Sequence, residues 1–270
     1  MHLTRIAPTP SGFLHLGNLY NFLLIQEKAR EHGLSILLRI DDMDRERVRE
    51  AYVQDIFDTL HFFGIGYQLG PNNLEDFHLF YSQHHRQPLY NQALEQLKDN
   101  ALVFACTCSR SELQHTPSSC FCRHLQLPLT TANAAWRLKV SPDAPITLHT
   151  ETGKQTLPFP SEMREVVVRQ KNGRPAYQLS SLVDDVHYGI DFIVRGEDLL
   201  PSTLVQLWLA ELLNYKGFCS TVFHHHPLVK LSNGEKLSKS AGDTSLQALI
   251  KNGLSAEAIR AGLANSVSLG

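Results

Sequence analysis

The chain has 270 residues, 43% of them hydrophobic and 19% charged, with a formal net charge of -2. That balance describes a globular protein with a core; it excludes a disordered chain and a globally basic nucleic-acid binder, so any RNA-contacting surface is local. No run approaches the roughly 18 apolar residues of a membrane helix, so no membrane partner is expected, and the opening segment MHLTRIAPTPSG lacks the apolar stretch of a secretion signal, which points to the cytoplasm.

In chain order, Leu3–Ile6 is a short apolar strand that runs into the turn PTPSG, and a helical pattern follows from Leu16 to His32. Ser35–Ile40 is a second apolar strand, ending in Asp41, Asp42 and Asp44, and a further helix is predicted over Arg47–Phe63. Strand, turn, helix, strand, helix is the pattern of an α/β fold with a parallel sheet. Such sheets bind ligands at the carboxyl ends of their strands, where PTPSG and DDMD both fall. Residues 71–164 differ: scattered His and Pro, a cysteine cluster, and strand-like pieces at Trp136–Val140 and Ile146–His149 read as an inserted α+β module. The α/β character returns with Val166–Arg169, Asp191–Val194, a helix at Ser202–Leu213, and a strand at Val222–Leu231 leading into SNGEKLSKS. Ser245–Leu263 is predicted helical. The expected organisation is a nucleotide-binding, Rossmann-like domain from 1–70 and 165–240, the module at 71–164, and a C-terminal helical segment at 241–270.

Two segments carry candidate chemistry. In Pro8–Asn18, PTPSGFLHLGN, a Pro/Gly turn places His15 and Gly17 at a helix start, where free N–H groups suit an anion. The imidazole can donate to a phosphate oxygen, and Gly17 lets a base or ribose approach the backbone. In Lys236–Ser240, KLSKS, two lysines three apart in a Gly/Ser loop suit a polyphosphate. Each segment alone also reads as an ordinary turn or a solvated basic loop.

Together they resemble the signature pair of class I aminoacyl-tRNA synthetases. RIAPTPSGFLHLGN is similar to the R-F-A-P-S-P-T-G-x-L-H-I-G segment of the glutamyl branch, RIDDMD to its R-I-E-D-T-D, and RPAYQLSSLVDDVHYGIDFIVRGEDLLPST and HHPLVKLSNGEKLSKS to its later blocks. The blocks occur in family order over nearly the whole chain. The resemblance implies a class I synthetase fold and attack of a carboxylate on the α-phosphate of ATP, releasing pyrophosphate, with Mg²⁺ accompanying the ATP. It implies His15 and Lys239 at the transition state, Lys236 on the phosphates, and Pro8, Gly17 and Asn18 beside the nucleotide. For glutamate it implies Arg5 and Arg195 on the carboxylates, Asp41 on the ammonium, Tyr177 as a hydrogen-bonding group, and Ile6, Ala7, Pro8 and Thr9 along the turn. Asp41 departs from the family Glu by one methylene, and a carboxylate beside Arg also reads as an ion pair. Asp42 and Asp44 are expected to be structural, capping the next helix. Asp184 and Asp185 are expected to be structural or near the ATP.

Cys106-Thr-Cys108 and Cys120-Phe-Cys122 are two C-x-C pairs, and four thiolates on two short turns fit tetrahedral Zn²⁺. Buried free thiols are the alternative, and His115 and His124 are possible substitute ligands. Part of the glutamyl branch carries a zinc site in this insertion, so the resemblance implies a structural zinc. Cys219 reads as core. His224–His226 alternate between strand faces, which disfavours one shared metal; by resemblance a His here lies near adenine.

The chain ends 30 residues after Ser240, and HLGNLYNFLL lacks the Arg that full-length relatives carry after this segment. Both features resemble the short branch whose members lack an anticodon-binding domain, activate glutamate without tRNA, and attach it to queuosine in tRNA(Asp), with a monomer expected. The alternatives are a glutamyl enzyme charging a tRNA 3′ end, a non-catalytic RNA- or nucleotide-binding paralogue, and a non-tRNA nucleotidyltransferase.

Overall fold

A computed structural model describes residues 2–114, 120–139, 145–163, 165–228 and 245–267. The elements begin with β1 (Leu3–Ile6), α1 (Leu16–His32), β2 (Ser35–Leu38), α2 (Glu50–Phe62) and α3 (Leu74–Asp76), then a π-helical turn at Phe77–Tyr81 and a 3₁₀ turn at Gln83–Arg86. Next come α4 (Gln87–Asp99), β3 (Val103–Cys106), α5 (Arg110–Gln114), α6 (Cys122–Leu125), β4 (Ala135–Leu138), β5 (Pro145–Thr150), β6 (Gly153–Pro158) and β7 (Val167–Arg169). The chain continues through α7 (Tyr177–His187), β8 (Phe192–Gly196), α8 (Leu200–Leu212), α9 (Lys216–Cys219), β9 (Val222–His226), α10 (Leu246–Lys251) and α11 (Ala256–Val267). Among the described residues no helix is long and apolar enough to cross a membrane.

The Cα framework divides into two units: one from the described parts of 1–85, 190–198 and 223–270, the other from those of 86–189 and 199–222. This division assigns 71–85 to the first unit, and 165–189 and 199–222 to the second.

In the first unit β1 and β2 are parallel, paired from Leu3↔Ser35 to Ile6↔Leu38. Parallel strands need a crossover, and α1 supplies it. Its Leu19, Phe22, Ile25 and Ala29 fall at helical spacing and are buried. Beyond the paired strands the backbones stay joined, with Arg39 N–H donating to Ile6 O at 2.9 Å and Asp41 N–H to Pro8 O at 3.0 Å. The turn after β1 and the acidic run after β2 therefore travel side by side, as read from the sequence. β8 runs beside β1, where Asp191 N–H donates to Leu3 O at 3.1 Å, and β9 is the neighbour of β8.

Four expectations in this unit change. The helix predicted from Arg47 begins at Glu50, because residues 44–47 form a turn closed by Arg47 N–H to Asp44 O. Asp42 caps no helix: it accepts from Ser82 Oγ at 2.6 Å and from Gln83 N–H at 2.7 Å, and so ties the acidic run to the 3₁₀ turn. Asp44 faces Arg47 at 3.6 Å instead of capping. The single helix predicted over Ser245–Leu263 is two, α10 and α11, separated at Gly253, whose φ of 83° breaks right-handed helix geometry.

In the second unit β3 and β4 pair antiparallel, as do β4 and β7, and β5 and β6 form a hairpin. A buried knot holds its helices: Arg86 donates to both oxygens of Asp184 at 2.7 and 3.2 Å, and Tyr90 OH adds a bond of 2.6 Å. Asp184 is fully buried there.

Candidate active site

The turn before α1 is built by its own side chains. His15 is the N-cap, extended at φ -126° and ψ 172°. Its Nδ1 accepts from Gly17 N–H at 3.1 Å, while Asn18 Oδ1 accepts from His15 N–H at 3.1 Å, completing a reciprocal capping box. With Nδ1 accepting, the neutral ring carries its proton on Nε2, which is the donor that a phosphate oxygen can take. A cap contributes only about 1 kcal/mol, and Ser, Asn or Asp supplies it at least as well. The feature that histidine adds is the Nε2 proton. The first turn of α1 contains no acidic residue, so the positive end of the helix dipole is not offset from within that turn.

Gly17 has a second reason beside the one read in the sequence. A Cβ there would lie 3.0 Å from His15 Cε1 and 3.1 Å from its Nδ1. The glycine gives the capping imidazole its room. The turn is also held from outside: Leu14 N–H donates to Asp55 Oδ2 at 2.8 Å, and Leu14 O accepts from Leu246 N–H at 2.9 Å.

At the strand ends Arg5 and Arg195 are both buried, 5% and 3% exposed. Arg5 Nη1 donates to Val194 O at 3.4 Å, and the Arg195 guanidinium lies 5.6 Å over the Phe223 ring. Ile6 and Pro8 are buried, Ala7 is partly buried and Thr9 is exposed. Asp41 is paired inside the protein, with Arg39 donating from Nε at 2.7 Å and from Nη2 at 3.0 Å. Arg39 was not singled out in the sequence, although two residues apart on an extended strand share a face. Tyr177 opens α7 in the second unit and is 43% exposed. Lys236 and Lys239 lie outside the described residues, as does His115.

The three histidines of β9 separate by environment. His226 takes Asn21 Nδ2 at Nε2 (3.0 Å) and donates from Nδ1 to Pro227 O (2.9 Å). Burial, with the nearby charges of Arg195, His224 and His226, lowers the His225 pKa to about 4. His225 is therefore neutral at physiological pH.

In the second unit the two C-x-C pairs converge. Cys106 and Cys120 Sγ are 3.3 Å apart, Cys108 lies 3.5 Å from both Cys120 and Cys122, and all four Sγ fall within 4.8 Å of one another. A Zn–S bond of about 2.3 Å implies S···S edges of about 3.8 Å in a tetrahedron, whereas a disulfide needs about 2.05 Å. The sulfurs fit the tetrahedron. Burial pushes the Cys108 thiol up to about 11 and Cys120 still higher. Burial also raises Cys122, but hydrogen bonds from Thr107 and the Cys108 and Cys120 thiols outweigh it and lower Cys122 to about 7. Four thiolates this close repel one another, and a dication removes that conflict. His124 is exposed, outside this set.

Glu165 supports the cluster and was missed. It is buried with φ at 55°, accepts from Cys120 N–H at 2.7 Å, and faces Arg123 Nη1 at 3.3 Å. Its partners lie more than 40 positions away, so no local pattern marks it.

The family model described as tRNA synthetases class I (E and Q), catalytic domain, matches residues 2–121 and 129–266. A relative in Burkholderia cenocepacia named glutamyl-Q tRNA(Asp) synthetase is 36% identical, over 90% of this chain and 82% of its own length. One of the same name in Synechococcus sp. is 34% identical, over 98% of this chain and 83% of its own. A glutamate–tRNA ligase of Neorickettsia sennetsu is 33% identical, with 58% of its length covered. The solved glutamate-tRNA synthetase of Elizabethkingia anophelis shares the fold at TM-score 0.72 and 23% identity; the match covers 94% of this chain and about half of that one, 54%. With the family model spanning most of its length and relatives this close, the chain belongs to the class I tRNA synthetases of the E and Q type, whose catalytic domain it carries.

Proposed function

We propose that the chain is a ligase that activates glutamate with ATP and then transfers it to queuosine in tRNA(Asp). The observation that carries the activation step is a helix start prepared for an anion, with His15 Nε2–H as donor, in the same unit as two buried guanidiniums at strand ends. In this reading Arg5 and Arg195 hold the carboxylates of glutamate. Asp41, set by Arg39, faces its ammonium, and Tyr177 adds a hydrogen bond. Ile6, Ala7, Pro8 and Thr9 line the turn. One oxygen of the α-carboxylate attacks the α-phosphate of ATP, the bond to the β-phosphate bridge breaks, and pyrophosphate leaves. Pro8, Gly17 and Asn18 border the nucleotide, while His15, Lys236 and Lys239 face the charge that develops on the phosphates. Mg²⁺ accompanying the ATP would neutralise charge on the phosphates. A queuosine hydroxyl then attacks the acyl carbon, AMP leaves, and an ester forms.

The queuosine acceptor is supported by the names of the relatives matched at 34–36% identity over 82–89% of their lengths. Zn²⁺ held by Cys106, Cys108, Cys120 and Cys122 is structural in this reading, cross-linking two short turns. In this reading the enzyme acts as a monomer in the cytoplasm.

The test is transfer of labelled glutamate to tRNA(Asp) with and without queuosine, alongside glutamate-dependent pyrophosphate–ATP exchange without tRNA. Exchange without tRNA and label only on the queuosine-bearing tRNA are expected. Label on tRNA(Glu) overturns the acceptor, and absence of exchange overturns the activation step.

A further inference from the structure

The turn that bears His15 rests on α2. Phe13 packs edge-on against Tyr52, with ring centroids 5.0 Å apart and planes at 84°. One turn further along α2, the Asp55 carboxylate accepts the Leu14 N–H at 2.8 Å. Asp55 is 4% exposed and Leu14 3%, so the bond is made away from water. Leu14 is the residue before the N-cap, and its carbonyl is held by Leu246 N–H. Both backbone groups of Leu14 are thus held from elsewhere in the chain, which leaves little freedom in how His15 enters the helix start.

A buried carboxylate is an expensive way to satisfy one amide. A backbone carbonyl or a serine would do it without a charge. A charge-assisted bond is shorter and stiffer than a neutral one, and stiffness matters where an imidazole must meet a phosphate to within a fraction of an ångström.

We propose that Asp55 is a positioning residue for adenylate formation, acting through Leu14 on the placement of His15. This rests on the reading above, in which His15 contacts the reacting phosphates. It goes beyond that reading by placing part of the site's precision on α2, which carries none of the motif residues.

The test is pyrophosphate–ATP exchange with glutamate on the full chain, comparing D55L, D55N, H15N and the double variant D55L/H15N. D55L is expected to lower kcat by about 10- to 100-fold, the loss of one charged hydrogen bond, with KM for glutamate within about threefold. D55N keeps an oxygen for Leu14 N–H and restores most of the rate. In the H15N background D55L produces little further loss, because its effect runs through a ring that is no longer there. A purely structural Asp55 gives additive losses and a shifted KM, and either result overturns the proposal. If H15N alone leaves exchange unchanged, the reading of His15 fails and the proposal falls with it. If D55L does not fold, hydrogen exchange at Leu14 in the wild type and D55N decides: slow exchange in both supports the bond, and unprotected exchange in the wild type overturns it.

Discussion

The turn at residues 8–18 and the cysteine cluster of the second unit solve opposite electrostatic problems. The turn gathers a helix start, an Nε2 donor and no acid in the first helical turn, and it closes its own hydrogen bonds through a capping box. Its shape is closed by its own hydrogen bonds, and its charge suits an anion. The cluster gathers four sulfurs whose successive ionisation is self-opposing, a set suited to a cation. A site that turns over must be built before its ligand arrives, whereas a structural centre can be finished by the ligand itself.

Removing metal separates the two most sharply. Structural zinc contributes roughly 10–16 kcal/mol in small zinc peptides, so a strong chelator should strip about one zinc per chain. Hydrogen exchange should then accelerate across 103–125 and stay unchanged at 14–19. A metal-free protein with residues 103–125 still protected breaks the comparison. Next in size is His15→Asn. Asn caps as well as His but lacks the Nε2 donor, so exchange of pyrophosphate should fall by about 10²- to 10³-fold while the melting temperature holds. Gly17→Ala should lower the rate by about 10-fold or more by crowding the ring, and the melting temperature should hold or rise because Ala is the better helix former. A rate loss that tracks unfolding would remove the distinction between the two sites.

Smaller effects sharpen it. Glu165→Gln keeps an acceptor for Cys120 N–H but loses the charge facing Arg123; zinc affinity, measured by competition with a metal indicator, should weaken by about 10-fold. The last effect is with pH. His225 is held neutral in the folded chain down to about 4, whereas the unfolded chain takes up that proton near the ordinary imidazole value of about 6.5. The stabilisation is therefore complete above that value and lost as pH falls through the window toward 4. Thermal melts should show this slope, and His225→Phe should flatten it.

Local features were legible, and long-range ones were not. The HLGN turn, the strand pair around it and the two C-x-C pairs are written in neighbouring residues, and all appear where the sequence puts them. Gly17 is legible as necessary, but the room it gives the His15 ring is not, because that depends on where the ring turns. Asp41 reads in the sequence as the partner of the substrate ammonium or as an ion pair; the Arg39 fork makes it a paired acid, which a strand's period of two already allowed, and the ammonium role stays a proposal. Asp55 and Glu165 could not be found. One sits 41 positions from its partner, the other 45, and a lone acid in a helix or loop carries no pattern. Gly253 was passed over because a glycine inside an apolar periodicity does not announce a positive φ.

The bond between Leu14 O and Leu246 N–H joins residues from nearly opposite ends of the chain. During synthesis β1, α1 and β2 leave the ribosome early, yet the carbonyl beside His15 waits for its donor until almost the last helix has emerged. A nascent chain can therefore hold most of the first unit's sheet while its reactive turn is still open on one side. The turn beside His15 is then completed only once α10 has been translated.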